Sequence, residues 1–295
     1  MLIRNVAKKD PSLRRYTLSW LFLLLASLAW VLFDICRKRL AEIHHPLLVG
    51  AVFSVTTLPI YLFYWVISSS PVPVEHVYYS VASVSGLLAA IGIVSFIAAL
   101  GRGRFSVLLP VLSLSPLVAA LINVLLFSVV LSWLVYLIII ICVFATFQLL
   151  GNGFKVNEPG AGLMLLTTLC WGVCICIDQF VLQFAHVSFH ALWVNVIMVC
   201  VLLIALLCNR SAITFSKTYY RFWLLGLIGF SAAVLLQFNA LRYLDASTVE
   251  AVKRAIGIIS AMMIGRMIFR ETLERHHYLY GIVIICSVIA FSHIN

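Results

Sequence analysis

The chain has 295 residues, 64% of them apolar and 10% charged, with a formal net charge of +10 and a mean hydropathy of +1.13. A soluble domain carries about a quarter charged residues and needs a polar skin, so a water-soluble fold is excluded and lipid is the solvent this surface fits. The Lys and Arg residues sit in short segments between apolar runs, where topology signals belong, which argues against a nucleic-acid partner.

In chain order, residues 1–17 form a basic polar tail with Arg4, Lys8, Lys9, Arg14 and Arg15. It lacks the short apolar core and small-residue cleavage site of a signal peptide. Apolar runs then predict membrane helices at 18–36, 46–67, 77–100, 106–128, 132–151, 160–183, 187–208, 222–243, 246–269 and 277–293. Each is close to the roughly 20 residues that cross a bilayer core. The runs are near-continuous instead of alternating, which selects helices over barrel strands. Short connections force neighbours antiparallel. The expected fold is therefore all-α, an integral membrane protein of about ten transmembrane helices.

The stretch 152–160 (NGFKVNEPG) is the most linker-like and falls near the middle. It divides the chain into two five-helix halves, 18–151 and 161–295. A shift of about 141 residues, roughly five spans with their turns, lays Trp30 on Trp171, His45 on His186, Ser106 on Ser247 and Pro116 on Gly257. An odd number of spans per repeat inverts the second half relative to the first. Inverted repeats enclose a solute site near the midplane.

Ionisable residues within membrane spans mark sites or pairs. On the ninth span Glu250, Lys253, Arg254 and Gly257 share one helix face. Either Glu250 and Arg254 pair along the helix while Lys253 snorkels to the interface, or Lys253 and Arg254 clamp an anionic group and Glu250 orients Arg254. The second reading is favoured. Asp34 has Arg37 and Lys38 one turn on and reads as a structural ion pair. Asp178 has no such neighbour and is the better candidate, with Glu250, for a proton relay or for meeting a substrate amine. Trp30 and Trp171 lie too deep for an aromatic belt and are candidates to line a cavity, against ordinary helix packing. Asn195, Gln237 and Asn239 are candidate solute contacts, with inter-helix hydrogen bonds as the alternative. Pro110 and Pro116 interrupt the fourth span and, with Gly257, are candidate hinges. Glu271 reads as an end-of-helix packing element. Cys170, Cys174 and Cys176 lack a second pair at zinc-site spacing and read as apolar filler, so no metal site is expected.

The last third, NALRYLDASTVEAVKRAIGIISAMMIGRMIFRETLERHHYLYGIVIICSVIAF, resembles the repeat ending of the EamA-like, ten-helix branch of the drug/metabolite transporter superfamily. The likeness lies in an "AL-x-Y-x-x-A-S" link at Ala240–Ser247, a "G-x-x-x-F-x-E" stretch ending at Glu271, and a further helix opening at Gly281. LLASLAWVLFDI and SVLLPVLSLSPLVAALI match the first repeat more loosely, with Val130 and Ile140 where the family's glutamate and glycine would fall. The resemblance implies two inverted five-helix repeats, no cofactor, no catalysis, and secondary transport of small organic molecules by alternating access. The Lys253–Arg254 pair also resembles that of organic-phosphate carriers in the superfamily, so an anionic solute is expected, phosphorylated ones among the candidates. The alternatives are a proton-driven exporter of amino acids or of apolar and cationic drugs, and a lipid-handling protein. No HExxH or GxSxG motif points to an intramembrane enzyme. The expected location is a bacterial cytoplasmic membrane, with lipid and a small-molecule solute as partners and a monomer as the unit. Family likeness puts both termini in the cytoplasm, whereas most loop Lys and Arg fall at the other end, so orientation stays open.

Overall fold

The computed structural model describes residues 11–127, 132–150, 157–213 and 219–294. Arg4, Lys8, Lys9, Val130, Lys155, Lys217 and most of the 152–160 connection lie outside the described residues, as do the side chains of Arg14 and Arg15.

Ten helical segments follow one another: α1 (Pro11–Ala41), α2 (Pro46–Ser68), α3 (His76–Leu100), α4, α5 (Trp133–Leu150), α6 (Ala161–Val181), α7 (Val187–Cys208), α8 (Tyr220–Leu241), α9 (Ala246–Met267) and α10 (Arg275–Ile294). The fourth is composite, running as an α-turn at Phe105–Leu108, a 3-10 stretch at Leu109–Leu114 and an α-helix at Ser115–Phe127. Pro110 sits inside the 3-10 stretch and Pro116 opens the last piece. Each removes a backbone donor, and the span changes its winding over the stretch that holds them. Among the described residues, eight helices are long and apolar enough to cross a membrane. The ninth carries Glu250, Lys253, Arg254 and Arg266, and the tenth has a shorter apolar stretch. The first helix begins at Pro11, so residues 11–17, expected as a polar tail, are helical, while the apolar span starts at Leu18.

Most helices split into a lipid-facing and a bundle-facing side. Phe63, Ile204 and Ile228 point outward, more than 60% exposed, while Phe33, Phe53, Phe96 and Leu100 are fully buried. Close approach is set by small residues: a Cβ on Gly172 would lie 2.7 Å from Val118 and 3.0 Å from the Ser115 carbonyl, so α6 can seat on α4 only with glycine there.

The two halves enter the bundle in opposite senses. At one end, rich in Lys and Arg, Lys38 at the close of α1 donates to the carbonyls of Leu100 (2.7 Å) and Gly103 (2.8 Å). Arg104, just before α4, pairs with Glu158, just before α6 (2.7 Å). Glu271, after α9, accepts from the backbone N–H groups of Phe105 (2.6 Å) and Ser106 (2.9 Å) and so caps α4. At the other end Ser68, closing α2, bonds Ser188, opening α7 (2.7 Å), and Gln179 near the end of α6 accepts from Ala246 N, opening α9 (3.2 Å). Thus α1 ends where α6 begins, and α2 ends where α7 begins. Packing follows the same exchange. The extensive α1–α8 contact has its counterpart in α3–α6, while α2 with α7, α4 with α9, and α5 with α10 each pair a helix with its own repeat.

The matching histidines have a structural reason. His45 caps α2 and His186 caps α7, each accepting through Nδ1 from the backbone N–H two residues on, at 3.3 Å. Such a cap satisfies one of the helix's orphan donors. Burial, then the nearby charge of Arg242, holds the His186 imidazole below its usual pKa, which favours the neutral, accepting form.

Candidate functional site

Between the two halves lies a cavity of about 100 Å³, room for several waters or a small solute. The pseudo-two-fold axis passes beside it. Trp30 and Trp171 meet with ring centroids 6.3 Å apart. Asn195 donates to the carbonyl of Ser54 (2.9 Å), the residue 141 positions earlier.

Around the tryptophans stand three cations. Arg37 is 1% exposed and lies between Phe33 and Phe96, its guanidinium 4.2 and 3.9 Å from their ring centroids. It pairs through Nη2 with Asp34, while its Nε and Nη1 are buried with no hydrogen-bond partner. Arg254 donates through Nε to Glu250 (2.9 Å) and Ser115 (3.0 Å). Its Nη2 lies 2.7 Å from Glu250 Oε2 but forms no aligned hydrogen bond there. Both guanidinium groups lie within 6.0 Å of the Trp171 ring. Lys253 is spent differently: it pairs with Glu250 and donates to Gln237 Oε1 (2.7 Å), which also accepts from Trp30 Nε1 (2.9 Å). Glu250, 1% exposed, further accepts from Ser115 Oγ (2.5 Å). This end of the cavity therefore holds Arg37, Lys253 and Arg254 against Asp34 and Glu250, an excess of one positive charge.

The other end holds a single carboxylate and an imidazole. Asp178, 4% exposed, accepts from Ser85 Oγ (2.5 Å) and meets His190 Nε2 at 3.2 Å. Cys174 Sγ stands 3.8 Å from its second oxygen. Asp178 falls two turns after Trp171, as Arg37 falls two turns after Trp30, so the repeat sets a carboxylate and a guanidinium at equivalent places.

Trp30, Trp171, Asp178, Asn195, Gln237, Glu250, Lys253 and Arg254 all line this one cavity. Gly257 does not; it borders a small adjoining void shared with Asp34, Lys253 and Arg254. Asn239 turns away and donates to Leu235 O of its own helix (2.7 Å). Pro110 and Pro116 lie outside the cavity wall, where they set the winding of α4. The Asp34–Arg37 pair forms as its spacing suggests, but Lys38 leaves Asp34 to cap α3. Sequence reasoning passed over Arg37 and His190 as site residues. The shift that matches the tryptophans also matches Arg37 with Asp178, and that signal was there to be read. For His190, nothing in the sequence distinguished it from the capping histidines.

Residues 158–292 match the sequence model of the EamA-like transporter family, a family of membrane transporters for small solutes. A solved crystal structure aligns over 92% of this chain and 95% of its own length, with 12% identity and a TM-score of 0.64, a likeness of fold alone. No curated protein matches the chain in sequence.

Proposed function

Since residues 158–292 match the EamA-like transporter family, we propose that the chain carries a small organic solute whose anionic group binds between Arg37 and Arg254 and whose cationic group faces Asp178. The observation that carries this reading is the guanidinium of Arg37: buried, caged by rings, and with two nitrogens lacking any acceptor at the edge of a cavity. A buried unsatisfied donor costs about 1–3 kcal/mol, and a solute carboxylate or phosphate relieves that cost while using the planar fork of Arg. In this reading Lys253 is a positioning residue that fixes Glu250 and Gln237, and Arg37 stands beside Arg254 in the anion site. The halves 18–151 and 161–295 rock about the axis between the tryptophans, and one chain suffices.

A purely anionic solute, such as a phosphorylated metabolite, is the second reading, favoured by the positive excess around Arg37. A thermal-shift panel separates the two, because a ligand that binds only the folded state raises its melting temperature. L-alanine, propionate (its anion alone), ethylamine (its cation alone) and glycerol 3-phosphate serve as probes. The bipolar reading predicts the largest shift with L-alanine. A larger shift with glycerol 3-phosphate selects the second reading, and no shift with any of the anions overturns the site.

A further inference from the structure

His190 is wholly buried on the first turn of α7, and both of its ring nitrogens are engaged: Nε2 with Asp178 Oδ1 (3.2 Å) and Nδ1 with the Tyr78 hydroxyl (3.2 Å). Its ring lies 4.8 Å from that of Phe238. The geometry points to a reversible proton site in which His190, when charged, takes over Asp178 from the solute's cationic group. This inference rests on the bipolar reading of the cavity given above.

The partners suit both protonation states. In the neutral imidazole, Nε2–H donates to Asp178 and Nδ1 accepts from the Tyr78 O–H. In the imidazolium, both nitrogens donate, and the Tyr78 oxygen becomes an acceptor as its proton rotates away. A hydroxyl can donate or accept, whereas a carboxylate only accepts, so a proton can come and go without stranding an imidazole nitrogen. A histidine locked in one state needs no such two-way partner.

The two ends of the cavity differ in this respect. Asp34 faces Arg37, whose guanidinium does not titrate in the working range. Asp178 faces a group whose charge varies across the neutral range. With His190 neutral, Asp178 is an uncompensated carboxylate at the cavity wall and attracts a cation. With His190 charged, the pair is internally balanced and a solute cation finds no counter-ion. Proton and solute cation therefore exclude one another at Asp178, and by linkage each weakens the other's binding equally.

The groups that meet His190 from the packed elements are Tyr78 on α3, Asp178 on α6 and Phe238 on α8, while Ser85 on α3 and Cys174 on α6 meet Asp178. Across the cavity stand Asp34 and Arg37 of α1, Tyr61 of α2, and Glu250, Lys253 and Arg254 of α9. Of these, Asp178 alone is a carboxylate in direct contact with the imidazole, and the distant set carries one net positive charge. The balance that decides the proton is therefore local.

The test uses the full chain in lipid nanodiscs with ¹⁵N-labelled histidine, the His190 signals being assigned by their loss in His190→Gln. The expected result is a His190 ring that passes from neutral to charged within about pH 5 to 8, with a proton affinity at least about tenfold lower in Asp178→Asn. L-alanine affinity should fall by about tenfold per pH unit below the His190 midpoint and lose that dependence in His190→Gln. A His190 that keeps one protonation state from about pH 4.5 to 9, or an unchanged pH dependence in His190→Gln, overturns the inference. Should His190→Gln fail to fold, Tyr78→Phe replaces it: without the hydroxyl as acceptor, the His190 midpoint must fall. If L-alanine does not bind at any pH, the solute reading fails, while the histidine titration still decides the proton site.

Discussion

The surroundings of Arg37 and those of Asp178 are the same place in the fold occupied twice. Each follows a tryptophan by two turns on the first helix of its half, and each is buried at the wall of one cavity. Their partners differ in kind. Arg37 is surrounded by rings and by other charges, Asp34 beside it and the Glu250–Lys253–Arg254 cluster across the gap. Asp178 is surrounded by hydroxyls, a thiol and an imidazole. Inverted symmetry thus supplies matched geometry, and side chains that break it set a guanidinium at one place and a carboxylate at its equivalent.

The largest contrast should come from removing one carboxylate at each end. Glu250→Ala strands Lys253 and Arg254, two buried cations that share it, and should cost about 3–5 kcal/mol in chemical unfolding in detergent. At a pH where His190 is neutral, Asp178→Ala strands only neutral donors and should cost about 1–3 kcal/mol. Equal losses would show that the two ends are electrostatically alike.

Next in size is the effect on binding. Replacing the Arg37 pair as Asp34→Asn with Arg37→Gln avoids leaving an orphan carboxylate. It should weaken L-alanine by roughly 10- to 100-fold in calorimetry, the worth of about 1.5–3 kcal/mol for a charged hydrogen bond, and abolish any propionate shift. Asp178→Asn should spare propionate and weaken L-alanine. The reverse pattern would exchange the roles of the two ends.

Trp30→Phe removes the donor to Gln237 and should lower stability by about 1 kcal/mol. Effects of the same small size belong to the helix caps. His45→Ala and His186→Ala should each cost about 1 kcal/mol. Because His186 titrates below the ordinary histidine value, its contribution is complete above about pH 6.5 and is lost as pH falls through the lowered pKa. His186→Asn, which caps without titrating, should flatten that acid dependence in a melting series.

Much of this was legible beforehand. Ten apolar runs gave ten helices, because a bilayer admits few alternatives for an uninterrupted apolar segment. The repeated Trp and His spacings pointed to inverted halves, and the face shared by Glu250, Lys253 and Arg254 to a charged cluster. Helical periodicity is a local property and is written in the order of residues. It could not say that Lys253 spends itself on Gln237 of another helix, that Asn239 bonds its own helix, or that Lys38 leaves Asp34 to cap α3. Those depend on rotations and neighbours fixed only when helices pack.

The sequence by itself determined the solvent and the succession of ten helices, since hydropathy acts on each segment without regard to the rest. Only the tertiary structure decided which charges are neutralised by one another and which are buried without an acceptor. Arg37 became a candidate site residue because two of its nitrogens have no partner, and His190 because Tyr78 and Asp178 meet it from two other helices. A buried charge is defined by what surrounds it on every side, and most of those neighbours lie far away along the chain.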